Sequence, residues 1–322
     1  MKCEISPWLR AKWLKSLIRR PLLTLYSLDG EFQGKQLRIL LADDGATLGY
    51  FRRLAFPNGS TLSRKGVISA LRAPELCRSD ADLVVVGANH LLTPRYAAYG
   101  FSLAPRFVRL RLFVYDSPDA MIDKLDIAAR HDLRRNVRRM MEKGFTCELT
   151  NDDRWLDLFY YDMYKPYAEN RHGELARVHS YRAIRKVFRR GAGLSIKREG
   201  QPVAGSLVDM HDGILFHPCG GILHGDQALA RDGASVALYY YSIQLAHSQG
   251  CKTADFGYSP PFTSDGALSY KLKWGMGVVD CDNSLGLYAI AAPGNSEAAV
   301  EFLRANRFYC LTARGIELCD EL

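Results

Sequence analysis

The amino-acid sequence predicts a mixed α/β protein built from two tandem halves, each with a central mixed β-sheet flanked by helices. Strand patterns occur in two groups and helical patterns follow each group, which favours this class. The chain has 322 residues, which is long for one domain and suits two. We therefore expect an N-terminal half over residues 1–145 and a C-terminal half over residues 146–322.

The start of the first half predicts one helix and a group of strands. Residues 1–20 are basic and amphipathic, so we expect a surface helix that Pro21 ends. The turn signals DGEFQG and DDGA divide residues 22–56, which we interpret as a β-meander. Residues 56–66 are interpreted as a loop.

Two more strands are predicted before the first long helix. Residues 81–88 are rich in valine, which is typical of a buried strand. Over residues 105–115, apolar side chains alternate with Arg109 and Arg111. This alternation predicts a half-buried strand with a basic outer face.

Two long helical patterns follow. Residues 118–144 carry an apolar stripe at three- and four-residue spacing, with Gly144 as the expected stop. The other side of this helix carries the cations Arg130, Arg134, Arg135, Arg138, Arg139 and Lys143. Such a face is either a solvated helix surface or a track for phosphates. The second pattern, over residues 152–168, is aromatic and predicts a core helix that breaks at Pro166, leaving Arg171 and His172 on a loop.

The second half is organised around the stretch from Gly213 to Met276. A basic helix at residues 181–190 leads into three antiparallel strands with turn residues at each corner, at residues 193–198, 202–210 and 214–220. A helix at 235–248, a strand at 252–256 and a loop that returns to the sheet with Lys271 and Lys273 complete it. Further strand and helix patterns end the chain.

Composition and charge limit the classes of function. Hydrophobic residues make up 48% and charged residues 24%, as in an ordinary globular protein. The net charge of +8 favours an anionic partner, such as a phosphorylated cofactor, RNA or an acidic surface. The eight cysteines form neither a CxxC pair nor a Cys/His pattern, so we expect reduced thiols and no metal site. We find no signal peptide and no apolar run of membrane length, and therefore expect a soluble, cytoplasmic protein.

Two stretches carry a resemblance to a known family. DLRRNVRRMMEKGF, at 132–145, resembles the basic helix end that closes the first half of the Fem-type aminoacyltransferases. ADFGYSPPFTSDGALSYKLKWGM, at 254–276, resembles a segment near the end of their second half. With the order of meander, helix, strand and returning loop, these stretches make the chain similar to the GNAT superfamily of acyltransferases, in its FemAB-like branch. The resemblance extends over about residues 120–280 and implies that both predicted halves are GNAT-like.

The resemblance implies a cleft that holds an acyl donor. In GNAT enzymes the pantetheine of the cofactor pairs with the fourth strand, and its pyrophosphate lies on amides at the start of the next helix. Carried over, the fourth strand is ILFHPCG, with Phe216 and Cys219 as cofactor-binding residues. The implied anion-binding turn consists of Arg231, Gly233, Ala234 and Ser235.

The implied turn departs from the family pattern. Ala230 occupies the position where the family has a basic residue, and Arg231 would substitute from the next position. This departure fits the Fem-like branch better than a typical coenzyme A enzyme. In its tRNA-using members an aromatic residue and a lysine lie at the aminoacyl-adenosine end, and here these are Tyr270 and Lys271.

Acyl transfer to an amine needs a base, a donor for the oxyanion and a proton for the leaving group. Backbone amides of the fourth strand and Lys271 are the candidates for the developing negative charge. His217 and Asp255 are candidates for the base, although a core histidine and a loop-capping carboxylate explain them as well. Tyr258 is a candidate general acid by position, and deprotonation through water or the substrate stays open.

The sequence thus predicts an N-acyltransferase that moves an acyl group from acyl-CoA to an amine acceptor, a small molecule or a peptidoglycan or saccharide precursor. The alternative donor is aminoacyl-tRNA, which the net charge and the arginine-rich helix would explain. A non-catalytic GNAT-fold protein that binds nucleic acid or another anion is the second class. Binding of tRNA would weaken steeply with salt, unlike binding of acyl-CoA.

Overall fold

The computed structural model describes residues 22–43, 45–88, 90–172, 178–281 and 286–319. The helix predicted over residues 1–20 lies outside the described residues. The chain forms two compact units. The first contains the described residues up to Val108, then Ser259–Ser269 and those from Val279 onward, and the second contains Arg109–Tyr258 and Tyr270–Val278.

A six-stranded mixed sheet forms the centre of the first unit. Its strands are β1 (Leu22–Phe32), β2 (Lys35–Asp43), β3 (Thr61–Ser69), β4 (Leu83–Ala88), β5 (Ser102–Pro105) and β14 (Leu287–Ala291). They lie in the order β3-β1-β2-β4-β14-β5. Strands β2 and β4 are parallel, with Ile39 opposite Leu83 and Ala42 opposite Val86. The other neighbours are antiparallel.

Helices and short turns cover this sheet. They are α1 (Gly45–Ala55), α2 (Thr93–Ala98), α11 (Glu297–Ala305) and the 3₁₀ turns Ala73–Arg78 and His90–Leu92, beside a hairpin of β15 (Tyr309–Thr312) and β16 (Gly315–Leu318). One core contains fully buried aromatic rings, among them Phe51, Phe262 and Phe302. A second core contains Val84, Val86 and the buried Tyr96. The two valines and Val85 alternate in direction along β4, so the sheet is packed on both faces.

Two sequence predictions in this unit are wrong. Residues 45–55 form helix α1 and not the last strand of a meander, because Thr47, Phe51 and Ala55 are buried at helical spacing. Residues 61–66, predicted as loop, belong to β3, whose register with β1 shifts at a bulge near Gly66. Gly66 has φ of 137°, a conformation that side chains rarely adopt.

A second mixed sheet forms the centre of the second unit. Its strands are β6 (Val108–Phe113), β7 (Phe145–Thr150), β8 (Ala192–Arg198), β9 (Gln201–His211), β10 (Ile214–Phe216), β11 (Gly220–Ile222), β12 (Thr253–Ser259) and β13 (Gly277–Cys281). The order is β13-β6-β12-β10-β9-β8-β7, and β11 pairs with β9 beyond β10. Strand β10 is antiparallel to β9 and parallel to β12.

The helices of the second unit are α3 (Pro118–Asp123), α4 (Ile127–Glu142), α5 (Asp153–Leu158), α6 (Lys165–His172), α7 (Tyr181–Phe188), α8 (Gln227–Leu229), α9 (Ser235–Ser248) and the end of α10 (Gly266–Lys273). Phe159–Tyr164 and Ala230–Ala234 are π-helical segments, and Leu223–Gly225 is a 3₁₀ turn. Trp155, Phe159 and Phe188 pack on Leu207 of β9, which confirms the predicted core role of that aromatic helix. Helix α9 has the predicted bounds.

Three helix predictions in this region need correction. The predicted helix at 118–144 is interrupted, because Asp126 caps α4 by accepting a hydrogen bond from the Ala129 amide at 3.0 Å. Arg171 lies in α6 and not on a loop, since the chain stays helical through Pro166, which directly follows the π-helical segment Phe159–Tyr164. Lys271 and Lys273 lie on helix α10, which Asp265 begins by accepting from the Ala267 amide at 2.9 Å.

The predicted fold class, mixed α/β with two sheets flanked by helices, is confirmed. The compact units have other bounds than the predicted halves 1–145 and 146–322. Helix α4 packs with α9 in the second unit, and β14 near the chain end pairs with β4 and β5 in the first. Within the described parts of the chain, no helix is both long enough and apolar enough to cross a membrane.

Candidate functional site

The parallel strands β10 and β12 of the second unit diverge after three residue pairs. The last pair is Phe216 with Asp255, and the His217 amide then donates to the Asp255 carbonyl at 2.8 Å. Two local features end the pairing. Pro218 has no N–H to donate, and the Gly257 amide donates to the Asp255 carboxylate at 2.9 Å instead of to a strand. The backbone pairing of the two strands therefore ends between the chain after Phe216 and the end of β12.

Strand β11 follows this divergence and pairs with a neighbouring strand on one side. It pairs with β9, with Gly220 opposite Ser206 and Ile222 opposite Ala204. Among the described residues, no strand pairs with β11 on its other side. Its outward backbone groups can therefore pair with an extended ligand, as an added strand would.

His217 projects from the point of divergence toward helix α9. Its side chain is buried, and Nδ1 lies 2.9 Å from Ser242 Oγ. Ser242 Oγ itself donates to the Leu238 carbonyl at 2.7 Å, so its proton is already committed. The His217 Nδ1–H must then donate to Ser242 Oγ, which leaves the lone pair on Nε2. This tautomer follows from the hydrogen-bond network.

The Nε2 atom faces a space that glycine keeps open. A Cβ added at Gly220 would lie 3.4 Å from His217 Nε2 and 3.3 Å from Leu238 Cδ1. Burial, and secondarily the positive charge of Lys271, lower the pKa of His217 to about 3. The imidazole is therefore neutral at physiological pH and offers Nε2 as a hydrogen-bond acceptor.

Aromatic rings surround His217 on this side of the sheet. Tyr239 stacks on Phe256, with ring centroids 5.0 Å apart, and on Trp274 at 5.9 Å. Tyr270 meets Tyr239 edge-on at 5.0 Å. Burial raises the pKa of both tyrosines, and the neighbouring Trp274 partly lowers that of Tyr270. Tyr270 Oη and Trp274 Nε1 are both buried, and neither has hydrogen-bond geometry to any described residue. These two donors are available to a ligand.

Lys271 and Tyr258 meet at the end of β12. The Lys271 side chain is buried, and its Nζ donates to the Tyr258 carbonyl at 3.0 Å. The Tyr258 side chain is 41% exposed and lies against the Arg109 guanidinium, whose carbon is 5.6 Å from the ring centroid. The Lys271 ammonium also lies close enough to His217 for its positive charge to lower the pKa of the imidazole.

Asp255 is held by arginines that the sequence did not connect with it. The carboxylate is buried, and Arg111 Nε donates to Oδ2 at 2.7 Å. Arg109 Nε also lies 2.7 Å from Oδ2, as an ion pair without the alignment of a hydrogen bond. Phe216 is on the same face, 5.8 Å from the Arg109 guanidinium carbon. Asp255 therefore serves as the counter-charge of two guanidinium groups, and its role as a base stays a prediction.

The implied phosphate turn is occupied by the protein's own contacts. Arg231 is exposed, and its carbonyl accepts from Arg139 Nη1 at 3.1 Å. Gly233 has φ of 135°, and a Cβ there would lie 2.9 Å from Met140 Cα, so packing against α4 explains this glycine. Ala234 and Ser235 continue from the π-helical segment into α9, and neither caps it by a side-chain hydrogen bond.

Two carboxylates lie near this turn. Asp226 accepts from the amide of Ala228 at 2.6 Å and so caps α8. Asp232, next to Arg231, accepts from Arg198 Nη1 at 3.0 Å. Negative charge beside a helix start competes with a phosphate for the same amides.

Cys219 lies between β10 and β11. It packs against the aromatic core beneath β9, and burial raises the pKa of its thiol to about 12. A neutral thiol is a poor nucleophile, so its chemistry is that of a packed side chain. Within the described residues, no group of three or more His, Cys, Asp and Glu side chains could hold a metal ion.

The predicted site residues form two groups near the divergence of β10 and β12. His217, Tyr270 and Lys271 lie on the side of helix α9, and Asp255, Tyr258 and Phe216 lie with Arg109 on the other face of the sheet, while Cys219 packs in the core beneath β9. The turn from Arg231 to Ser235 packs against α4 instead. Sequence reasoning missed Ser242, Tyr239 and Gly220, which carry no distinguishing pattern. Arg109 and Arg111 had a signal, the alternation of arginine with apolar residues along β6.

Comparisons with known proteins give distant likenesses. No family model matches the chain, and no curated protein matches its sequence. Among solved structures, the chain is similar to FemX, with 12% identity, a TM-score of 0.43, and coverage of 86% of this chain and 90% of that chain. It is also similar to L-PGS from Bacillus licheniformis, with 13% identity, a TM-score of 0.38 and coverage of 87% and 85%.

A third likeness is to a tandem GNAT protein from the clavulanic acid biosynthesis pathway, with 12% identity, a TM-score of 0.33 and coverage of 89% of each chain. A Fem protein and a GNAT protein, the groups that the sequence resembles, are thus among the similar structures. At these TM-scores, the function has to be inferred from the residues of this chain.

Proposed function

We propose that this chain is an N-acyltransferase of the GNAT type, related to the FemAB-like branch, with its two compact units as tandem GNAT-like halves. The observation that carries the proposal is the divergence of β10 and β12, next to the open edge of β11. An amide-containing donor can pair with that edge in extended form. Its acyl carbonyl would then lie beside the neutral His217 and the Lys271 ammonium.

The proposed donor is acyl-CoA. The two amide groups of pantetheine match the open backbone groups of β11, and the buried hydroxyl of Tyr270 and the Trp274 N–H add donors nearby. The pyrophosphate would need a partner other than the backbone amides near Arg231, because the carboxylates of Asp226 and Asp232 lie beside those amides. A cytoplasmic location belongs to this proposal, since acyl-CoA is an intracellular donor.

The proposed roles follow from charge and tautomer. Lys271 would stabilise the negative charge that develops on the carbonyl oxygen or the leaving thiolate. His217 would orient the attacking amine through a hydrogen bond to Nε2. With a pKa of about 3 it cannot retain the amine proton, so this proton would pass to water. The acceptor would be an amine on a small molecule or on a peptidoglycan or saccharide precursor.

Aminoacyl-tRNA is a second candidate donor, which the basic helix faces favour. Arg138 on α4, and Arg182, Arg185 and Lys186 on α7, are exposed and form no ion pair with any described residue. Uncompensated cations along a helix are suited to a phosphate backbone. A tRNA donor is also consistent with the turn at Arg231, because that turn is engaged by the protein's own contacts and this donor does not require a pyrophosphate there.

The donor can be identified directly. The purified full-length chain would be analysed by native mass spectrometry for a copurifying ligand, and then titrated with acetyl-CoA and with aminoacylated tRNA. Binding of acetyl-CoA that changes little between 50 and 200 mM salt would support the first donor, whereas tRNA binding that falls by about 10³ or more would support the second. Binding of neither donor would contradict an acyltransferase.

The position of the site can be tested with a matched pair of glycine variants. Gly220→Val would fill the space beside His217 Nε2, and we expect it to weaken donor binding at least about tenfold. Gly277→Val is the control, because no atom lies within 4 Å of an added Cβ there. Transfer that is unchanged in both His217→Ala and Lys271→Ala would show that the reaction occurs elsewhere.

A further inference from the structure

Two arginines of β6 carry more positive charge than their surroundings neutralise. Arg109 and Arg111 both approach the same oxygen of Asp255, Oδ2, at 2.7 Å. Asp255, Phe216 and Asp209 lie side by side on three neighbouring strands. Asp209 does not compensate the two arginines, because it pairs with Arg190 at 2.9 Å. One carboxylate therefore faces two guanidinium groups, and a net positive charge remains.

The orientation of the two guanidinium groups leaves most of their donors unused. Each group has five N–H donors, and only Nε faces Asp255. The terminal nitrogens of both arginines make no hydrogen bond or ion pair with any described residue. Arg109 Nε is itself buried and not aligned with an acceptor. A side-on approach through Nε alone differs from the bidentate pairing that fully satisfies an arginine.

The site is both held in place and accessible. The Arg109 guanidinium carbon lies 5.8 Å from the ring centroid of Phe216 and 5.6 Å from that of Tyr258, and these two ring contacts restrict its orientation. The Arg109 and Arg111 side chains keep 25% and 29% of their surface exposed. A ligand can therefore reach the terminal nitrogens without displacing Asp255.

We propose that Arg109 and Arg111 form an oxoanion site that binds a carboxylate or phosphate group of a ligand. Two planar guanidinium groups turned outward from a shared carboxylate match the oxygens of such a group, and a single anion would neutralise the remaining charge. Phe216 and His217 are consecutive in the chain and project to opposite faces, so the site lies across the sheet from the His217 imidazole. The site does not depend on the chain being a transferase.

The test is a titration of full-length protein labelled with ¹⁵N-arginine, followed through the Nε–H signals of its arginines. Arg109→Lys and Arg111→Lys variants assign the two signals. Inorganic phosphate and acetate are the probes, added at constant ionic strength against chloride. We expect both signals to shift together and saturate with one dissociation constant, while the signal of the exposed Arg304 does not saturate.

A variant pair measures the contribution of one arginine. Arg111→Gln should weaken anion binding about tenfold, since it removes one charged donor pair, and the matched Arg304→Gln, at an exposed position of α11, should leave it unchanged. Saturation by phosphate alone assigns a phosphoryl ligand, and saturation by acetate assigns a carboxylate. If neither anion gives a saturable shift in the wild-type chain, the proposal is wrong. This measurement uses only the wild-type protein, so it does not depend on whether any variant folds.

Discussion

Each unit contains a parallel strand pair, β2 with β4 in the first and β10 with β12 in the second, and the two pairs end in different ways. In the first unit, β2 and β4 stay paired over four residues, and the space beyond is filled by the buried side chain of Asp43. In the second, β10 and β12 separate after three pairs, and β11 keeps an open edge. The same local topology thus ends once in packed side chains and once in strands that separate beside a strand paired on one side only.

The carboxylates at the ends of the two parallel strand pairs, Asp43 and Asp255, also differ in how fully their arginine partners are buried. The Asp43 carboxylate accepts from Thr47 Oγ1 and from Arg106 Nη2, and the Arg106 side chain is 9% exposed. Asp255 is just as buried, but its two arginines are partly exposed and keep unused donors. A buried polar group that satisfies its neighbours contributes to the fold, whereas unused donors beside an opening are suited to a ligand.

The largest expected effect comes from disturbing the packed end. A Cβ added at Gly87 would lie 2.2 Å from Asp43 Cγ, so Gly87→Ala must displace a buried carboxylate. We expect a loss of about 3 kcal/mol or more in the free energy of unfolding, measured by urea denaturation. Gly45→Ala is the control, because nothing lies within 4 Å of an added Cβ there. Equal stability of the two variants would mean that the end of β4 is not closely packed.

Removing each carboxylate compares the two ends directly. Asp43→Ala removes a buried carboxylate that accepts from both Arg106 and Thr47, and should cost about 3–5 kcal/mol. Asp255→Ala leaves two arginines that water can reach, so we expect a smaller loss, about 1–3 kcal/mol. Urea unfolding of both variants measures the difference. A larger loss for Asp255→Ala would reverse the assignment of the packed and the open end.

The next effect concerns pH and the neutral His217. Its pKa is lowered to about 3 in the folded chain from an ordinary value of 6.5, so between these values the unfolded chain binds the extra proton. Stability should therefore fall as the pH decreases below 6.5, by about 2 kcal/mol at pH 5 from this group, and be unaffected above pH 6.5.

The check is the pH dependence of urea unfolding in His217→Gln, which should lose this component. His247→Gln, at an exposed position near the end of α9, should retain the slope of the wild-type chain. If His217→Gln kept the same slope, the imidazole would be protonated in the folded chain. It could then serve as a proton carrier, contrary to the role proposed here.

Much of the second unit could be predicted from sequence because local signals determine it. The bounds of α9 follow from its apolar run and Gly250, and the strands β8 and β9 follow from their turns. The helix α10 was missed because the Pro- and Gly-rich stretch before it masked the cap at Asp265. The helix α1 was missed because it follows two strands and a turn signal, and its apolar spacing was overlooked.

The candidate site was only partly accessible to sequence reasoning. His217, Asp255 and Lys271 were identified through their positions near the predicted strands; their catalytic roles stay predictions, and His217 and Asp255 point to opposite faces of the sheet. Their partners come from distant parts of the chain: Arg111 is 144 residues from Asp255, and Ser242 is 25 residues from His217. Such pairs depend on strand order and register, which a single sequence does not determine.

The smallest expected effect distinguishes why glycine is needed at Gly257, for its backbone conformation, from why it is needed at Gly87, for close packing. Gly257 has φ of +69°, and the nearest atom to an added Cβ is the Pro218 carbonyl oxygen at 3.9 Å, so space is not the constraint. Gly257→Ala should cost only about 1 kcal/mol, the penalty of a left-handed backbone, against the larger loss for Gly87→Ala. Urea unfolding measures both, with Gly277→Ala as an unstrained control in the second unit. A loss for Gly257→Ala as large as that for Gly87→Ala would mean that the end of β12 is packed as tightly as the end of β4, and that no cleft opens there.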